Sequence, residues 1–283
     1  MNLDLSHNEP NVLDTFACKG GAGGGYRGAG GHVISVDNVD YSEAHPPGSF
    51  FQADAVEFIL DHGHKFDLIH ISAPCQFWTR GNARLRADGS NPWPRLIAAA
   101  RDAAIRAGVP YVIENVEDAA AELLEPICLC GRMFGLHALD SHSDALGMML
   151  LLDRHRLFEF GNMATPIAPA HPVHSRTTGI NLAPPPGVMT KAQYVAYVKS
   201  GRGRSLTGQP HVAGVYGGAR RDPWEAKFIR HGGYVPKDLR VLQDLLGTPW
   251  IDTERELFEA IPPAYTGWIF DQVRSAGVLR NAA

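Results

Sequence analysis

Four short runs rich in β-branched and aromatic residues, NVLDTF (11–16), HVISVD (32–37), FDLIHIS (66–72) and PYVIEN (110–115), alternate with stretches of helical periodicity. The helical stretches include ADAVEFILDHG (53–63) and PRLIAAARDAAIRAG (94–108), the second with an apolar face and a stopping glycine at Gly108. Strand, helix, strand at this spacing calls for crossover connections, and these bring successive strands together in parallel. The expected fold class is therefore α/β, a doubly wound, mostly parallel sheet over residues 1–160, rejoined by 246–283. At the carboxyl end, DLRVLQDLLG and AYTGWIFDQVRSAGVL read as helices, and DTERELFEAI opens with a capping box of Thr253 and Glu256.

Residues 161–245 have a different character, irregular and rich in proline and glycine, and are expected to form a small separate domain. They carry 11 Lys and Arg against 4 Asp and Glu, a net of +7, whereas the rest of the chain is at −11. A basic segment on an acidic body suits a polyanionic partner, although a solvated arginine-rich loop has the same composition. MNLDLSHNEPN lacks the apolar core of a signal peptide, and LGMMLLL (146–152) is too short to span a bilayer, so no membrane partner is expected. The cysteines, at 18, 75, 128 and 130, form no C-x-x-C pair, which fits a reducing cytoplasm. CLC at 128–130 lacks a second ligand pair, so no metal is expected.

Parallel sheets bind ligands outside the carboxyl ends of their strands, so the residues at those ends are the place to look for chemistry. The first strand ends at Phe16 and enters ACKGGAGGGYRGAGG; the second ends at Asp37; Asp54 follows a short strand; the next two end at Pro74-Cys75-Gln76 and Glu114-Asn115. Gly23 to Gly28 matches G-x-G-x-x-G with an acidic residue downstream, but a glycine-rich segment matches that pattern easily. The more general reading is a tight turn, poor in side chains, that lets backbone approach a nucleoside-like cofactor. A thiol at Cys75 and an acid at Glu114, on neighbouring strand ends, suit addition to an electron-poor ring while the acid hydrogen-bonds a ring nitrogen.

The ordered set DTFACKGG, PCQ (74–76), ENV (114–116), RHR (154–156) and AIPPAYTGWI (260–269) resembles the DNA cytosine-5 methyltransferases, in particular a phage and bacterial subgroup. The resemblance covers about 1–160 and 240–283 and leaves the middle as a target-recognition region. It implies a class I S-adenosylmethionine-dependent methyltransferase fold with S-adenosyl-L-methionine as cofactor. Cys75 would attack C6 of an extruded cytosine, Glu114 would hold N3, and Arg156 with Arg154 would stabilise charge on the base. Phe16, Lys19, Gly20, Gly21, Pro74, Ala264 and Tyr265 would line the cofactor pocket, with Asp37 on the ribose and Asp54 on the adenine. Asn115 would brace the Cys75 loop.

The partner implied is double-stranded DNA, with a cognate restriction endonuclease conceivable and a monomer expected. Gln76, Arg80, Arg84 and Arg86, in a loop closing over the base, and Arg176, Arg202, Arg204, Arg220 and Arg221, in the basic segment, are the DNA-facing candidates. The sequence departs from the family at Cys18, where glycine is usual and where a cysteine fits a backbone that is not left-handed. It departs again at Ala73, where proline is usual, and at Pro262-Pro263-Ala264. An RNA cytosine-5 methyltransferase and a non-catalytic DNA-binding protein are the competing readings. A nicotinamide oxidoreductase would leave Cys75 and Glu114 unused.

Overall fold

The computed structural model describes residues 3–79, 82–140, 148–172, 211–213, 236 and 238–279. The chain divides into two compact units. The first holds the residues up to Leu129, His155–Ala168 and those from Ala260 onward; the second holds Cys130–Arg154 and Pro169–Glu259.

The first unit is built on a seven-stranded sheet. Its strands are β1 (Asn11–Thr15), β2 (His32–Asp37), β3 (Phe50–Gln52), β4 (Leu68–Ile71), β5 (Tyr111–Asn115), β6 (Ile127–Leu129) and β9 (Arg156–Gly161), in the order β3-β2-β1-β4-β5-β9-β6. β1 to β5 run parallel, and β9 enters antiparallel to both β5 and β6. The order reverses at β1, which puts the carboxyl ends of β1 and β4 at the switch point where doubly wound sheets bind ligands.

The two faces of this sheet differ in chemistry. One presents Leu13, Ile34, Val36, Ile69, Ile71 and Ile113 to helices α2 (Ala55–His62) and α4 (Ile97–Ala107), in a continuous apolar core. Pairing of Asp14 with Ser35 and with His70 lines those three polar residues up on the other face, all with zero exposure. Helix α1 (Gly21–Gly28) packs there, and the last helix, Pro263–Ser275, packs on α1.

The glycine-rich segment is thus a helix where the sequence suggested a turn. Five glycines in eight residues disfavour a helix by about 4–5 kcal/mol relative to alanine. Tertiary contact reverses the preference: a Cβ on Gly21 would lie 2.7 Å from the Ile261 carbonyl, and one on Gly25 2.1 Å from both the Pro263 carbonyl and Thr266 Oγ1. Thr266 Oγ1 donates to the Ala22 carbonyl at 2.8 Å, a bond that only such a close approach permits.

The second unit contains a sheet of β7 (His137–Asp140), β8 (Met148–Leu152) and β10 (His211–Ala213), with β8 in the centre. Helix α5 (Leu239–Leu246) begins at the N-cap Asp238 and packs on β7 and β8, burying Val241, Leu242, Leu245 and Leu246. Helix α6 (Glu254–Glu259) starts at the expected Thr253–Glu256 cap, where the hydroxyl donates to the carboxylate at 2.5 Å. The unit boundaries differ from a break at residues 161 and 245. β9 lies within the large sheet, between β5 and β6, so 161 falls at a strand end, while α5 and α6 belong with β7 and β8. A third short helix, α3 (Ala83–Ala87), lies in the first unit, and the final helix Pro263–Ser275 is α7.

Candidate active site

The turn from β1 into α1 has three left-handed residues, Phe16 at φ 57°, Cys18 at φ 45° and Gly20 at φ 73°. The expectation that Cys18 avoids this conformation is overturned. A non-glycine residue there costs about 1–2 kcal/mol, so the turn must be held by its surroundings. Asp37 supplies much of the hold: one carboxylate oxygen accepts from the Cys18 amide and the other from the Val39 amide, both at 3.0 Å. His45, on the segment after β2, bonds the Cys18 carbonyl through Nε2 at 2.8 Å, so that nitrogen carries the proton. Burial lowers the pKa of His45 and keeps the ring neutral. The same ring closes over Gly20, where a Cβ would meet His45 Cε1 at 2.8 Å.

Beneath the turn, Arg27 reaches back along α1 to the space left by Gly20 and Gly23, the direction in which helical side chains lean. It interacts through charge with Asp14, which has zero exposure and whose carboxyl burial pushes up to about 7, against the pull of Arg27. Neither residue was singled out in the sequence. A charged residue inside the apolar run NVLDTF was the available signal for Asp14. Arg27 and His45 come to the turn only through the fold.

Asp54 is the N-cap of α2, accepting from the Glu57 amide at 2.9 Å through one oxygen. Its side chain is exposed. Lys19 is half-buried within the turn, and Gly21 opens α1. Ala264 is half-buried at the start of α7, whereas Tyr265 has zero exposure and packs edge-on to Phe158 at 6.2 Å, which anchors α7 to the sheet.

At the next strand end, Pro74 and Cys75 follow β4, both half-buried. The Cys75 carbonyl accepts from the amides of Trp78 and Thr79 at 2.9 and 3.1 Å, folding the chain into a tight turn directly after the thiol. From β5, Asn115 Nδ2 donates to the Ala73 carbonyl at 2.8 Å and ties the two strand ends together. Glu114, 5 % exposed, pairs with Arg156 of β9, Oε1 to Nε at 2.9 Å. The contact lies off the N–H direction, so it acts through charge more than as an aligned hydrogen bond. The register explains the pair: Glu114 faces Phe158, and Arg156 stands two residues before it on the same side of β9.

The loop after Cys75 is held by its own side chains. Asn82 Nδ2 donates to the Gln76 carbonyl at 2.7 Å, Asn91 Nδ2 to that of Phe77 at 3.1 Å, and Arg86 Nη1 to those of Phe77 and Thr79 at 2.7 and 2.9 Å. Arg95 lies over the rings of Phe77 and Trp78, 5.4 and 5.3 Å from their centroids, and pairs with Glu122. Arg86 is thus committed to the loop backbone, while Arg84 is exposed. Arg154 lies in the second unit, 3 % exposed, donating to the Phe258 carbonyl at 2.8 Å. Arg80, Arg176, Arg202, Arg204, Arg220 and Arg221 lie outside the described residues.

The donor set fits an adenosyl cofactor. Asp37 keeps lone pairs beyond those its two amide bonds use, so it can accept ribose hydroxyls. Gly20 and Gly21 place no side chain on the turn, and Asp54 offers an exposed acceptor.

No family model matches the chain, and no curated protein matches it. Solved structures do. A mutant form of Spodoptera frugiperda DNMT2 is 12% identical, with 94% of this chain and 100% of that chain covered and a TM-score of 0.51. A prophage-encoded Escherichia coli protein named as a DNA modification methyltransferase is 14% identical over 94% and 99%, TM-score 0.48. S. pombe Dnmt2 methyltransferase is 12% identical over 95% and 99%, TM-score 0.47. Identities this low speak to the fold alone. The fold, a seven-stranded, mostly parallel sheet with flanking helices, is that of the class I S-adenosylmethionine-dependent methyltransferases.

Proposed function

We propose that the protein transfers a methyl group to C5 of a cytosine extruded from DNA, using S-adenosyl-L-methionine and a covalent bond between Cys75 and C6. The observation that carries the reading is the joining of two strand ends, Cys75 after β4 and Glu114 with Arg156 on β5 and β9, through the Asn115 bond to Ala73. These ends lie beside the turn and Asp37 on one rim of a methyltransferase fold. Bound S-adenosyl-L-methionine supplies an electrophilic methyl group on a sulfonium.

The chain's own residues prepare the base. C5 of cytosine is too weak a nucleophile until C6 is attacked, and a thiolate is the side chain suited to that addition. As the Sγ–C6 bond forms, the C5=C6 electron pair moves toward C5 and the ring nitrogen. A proton shared between Glu114 and N3 neutralises that charge, and Arg156 stabilises the carboxylate through the cycle. As C5 takes the methyl group the N3 proton returns to Glu114; the C5 proton then passes to solvent water, its electron pair re-forms the C5=C6 double bond, and the Sγ–C6 pair leaves with sulfur as the thiolate. The base must leave the duplex for this, since C5 and C6 are covered by stacking. Pro74 and the turn after Cys75 hold the nucleophile toward the rim, and Gln76 to Arg86 would meet the nucleic acid.

Labelled S-adenosyl-L-methionine should transfer label to duplex DNA with the intact protein and not with Cys75→Ser. DNA carrying 5-fluorocytosine in the modified site should form a denaturation-resistant adduct with the protein; adduct formation by Cys75→Ala would end the covalent reading. Transfer to RNA in place of DNA would move the substrate and leave the chemistry.

A further inference from the structure

Tyr26 of α1 hydrogen-bonds His70 Nδ1 at 2.9 Å, and His70 Nε2 reaches Ser72 Oγ at 2.9 Å. We infer that this Tyr26–His70–Ser72 chain is a positioning device, fixing the strand-end backbone that carries Pro74 and Cys75 against the helix that carries the cofactor turn. The inference rests on the proposed function for its catalytic consequence and on the geometry and burial of these side chains for the rest.

Burial sets the direction of the chain. Tyr26 and His70 both have zero exposure, and burial pushes the His70 pKa down to about 3, so the imidazole is neutral with one N–H. If Nδ1 held that proton, the Tyr26 hydrogen would be left in a dry site facing a donor, at a cost of about 1–3 kcal/mol. The satisfied arrangement has Tyr26 O–H donating to Nδ1 and Nε2–H donating to Ser72 Oγ. Ser72 is then held as an acceptor from inside the sheet, while its amide donates to the Thr15 carbonyl at 3.2 Å. The Thr15 hydroxyl in turn donates to the His70 carbonyl at 2.9 Å.

At the residue after Ser72, the Ala73 carbonyl is held by Asn115 from the opposite side. Residues 70–73 are therefore gripped by β1, by β5 and, through the imidazole, by α1. The α1 link crosses from one functional segment to the other. An apolar residue at 70 would suit burial and provide no such link. A fully satisfied polar chain in a dry interior specifies one geometry, because any shift strands a donor.

Amide hydrogen exchange on Tyr26→Phe and Ser72→Ala, each removing one end of the chain and no ring packing, tests the geometry. Exchange in peptides spanning Ile71–Thr79 should accelerate at least tenfold in both variants, with peptides of α4 unchanged, and Ser72→Thr should restore protection. A destabilised but unrelated control, Phe58→Leu on the apolar face, should not reproduce the local effect. Unchanged exchange at 71–79, or acceleration spread evenly over the domain, would overturn the inference. In methyl transfer, the two variants should lose about tenfold in kcat with KM for S-adenosyl-L-methionine unchanged. Wild-type kcat in both variants refutes the catalytic consequence. A wild-type protein that transfers no methyl group fails the proposed function, and the exchange result still decides the positioning role.

Discussion

Gly25→Ala should destabilise the protein although it improves helix propensity. The added Cβ would stand 2.1 Å from the Pro263 carbonyl oxygen, 2.1 Å from Thr266 Oγ1 and 2.8 Å from the Gly267 nitrogen. Two of these neighbours are backbone of α7, so no rotamer change relieves the contact and the helices must separate by more than an ångström. Separation breaks the Thr266–Ala22 hydrogen bond, worth about 1 kcal/mol. Overpacking adds about 1–3 kcal/mol, and the gain in propensity returns about 1 kcal/mol. The net is a loss of about 1–3 kcal/mol, read as a drop of about 2–12 °C in Tm for a chain of this size. Gly28→Ala is the matched control, on the same helix with no atom within 4 Å of its added Cβ, and should hold or slightly raise Tm. Differential scanning calorimetry of the two variants against the parent makes the comparison. A Gly25→Ala protein as stable as Gly28→Ala would refute close helix packing as the reason for the glycines.

The pH dependence of stability should combine two opposed contributions, from Asp14 and His70. Asp14 rises on folding from 3.8 to about 7, chiefly by burial, so its protonated form stabilises the fold below pH 3.8, and that contribution is lost as pH rises to 7, about 4 kcal/mol in all. His70 falls from 6.5 to about 3, so its neutral form contributes stability present above pH 6.5 and lost as pH falls toward 3. The two nearly cancel between pH 4 and 6.5. Asp14→Asn should therefore unmask a stability that climbs with pH in denaturant titrations over that window; a flat profile would contradict the burial argument. Arg156→Met should destabilise by about 3–5 kcal/mol in urea by leaving the Glu114 carboxylate buried without its cation, and Glu114→Gln in the same chain should recover most of it. Arg86→Ala should increase protease cleavage within residues 76–95 without lowering global Tm, because three carbonyls in that loop depend on Arg86 and Asn82.

The identity of the residues at the strand ends was legible because it is local. A β-branched run that stops at a proline and cysteine, or at a glutamate and asparagine, exposes its next residues at the rim of any parallel sheet, whereas the Asn115 brace was implied by the family resemblance, and the bond from Asn115 to the Ala73 carbonyl is its structural counterpart. The sheet confirms the class of fold that the strand–helix alternation implied, and its order then tells which ends are neighbours. What escaped the sequence depends on distance in three dimensions. GAGGGYRG reads as a turn by propensity; it is a helix because α7, some 240 residues away in the chain, approaches too closely for any side chain at Gly25. Cys18 looked unsuited to a left-handed backbone, yet Asp37 and His45 hold it there from two other segments. Asp14, His70 and Ser35 share one face only once parallel register sets them side by side, and Arg156 finds Glu114 only because β9 runs antiparallel. Short-range patterning thus determined which residues could do chemistry, while pairing between distant segments decided which of them meet, since contact energy is paid out only where the fold brings groups within a few ångströms.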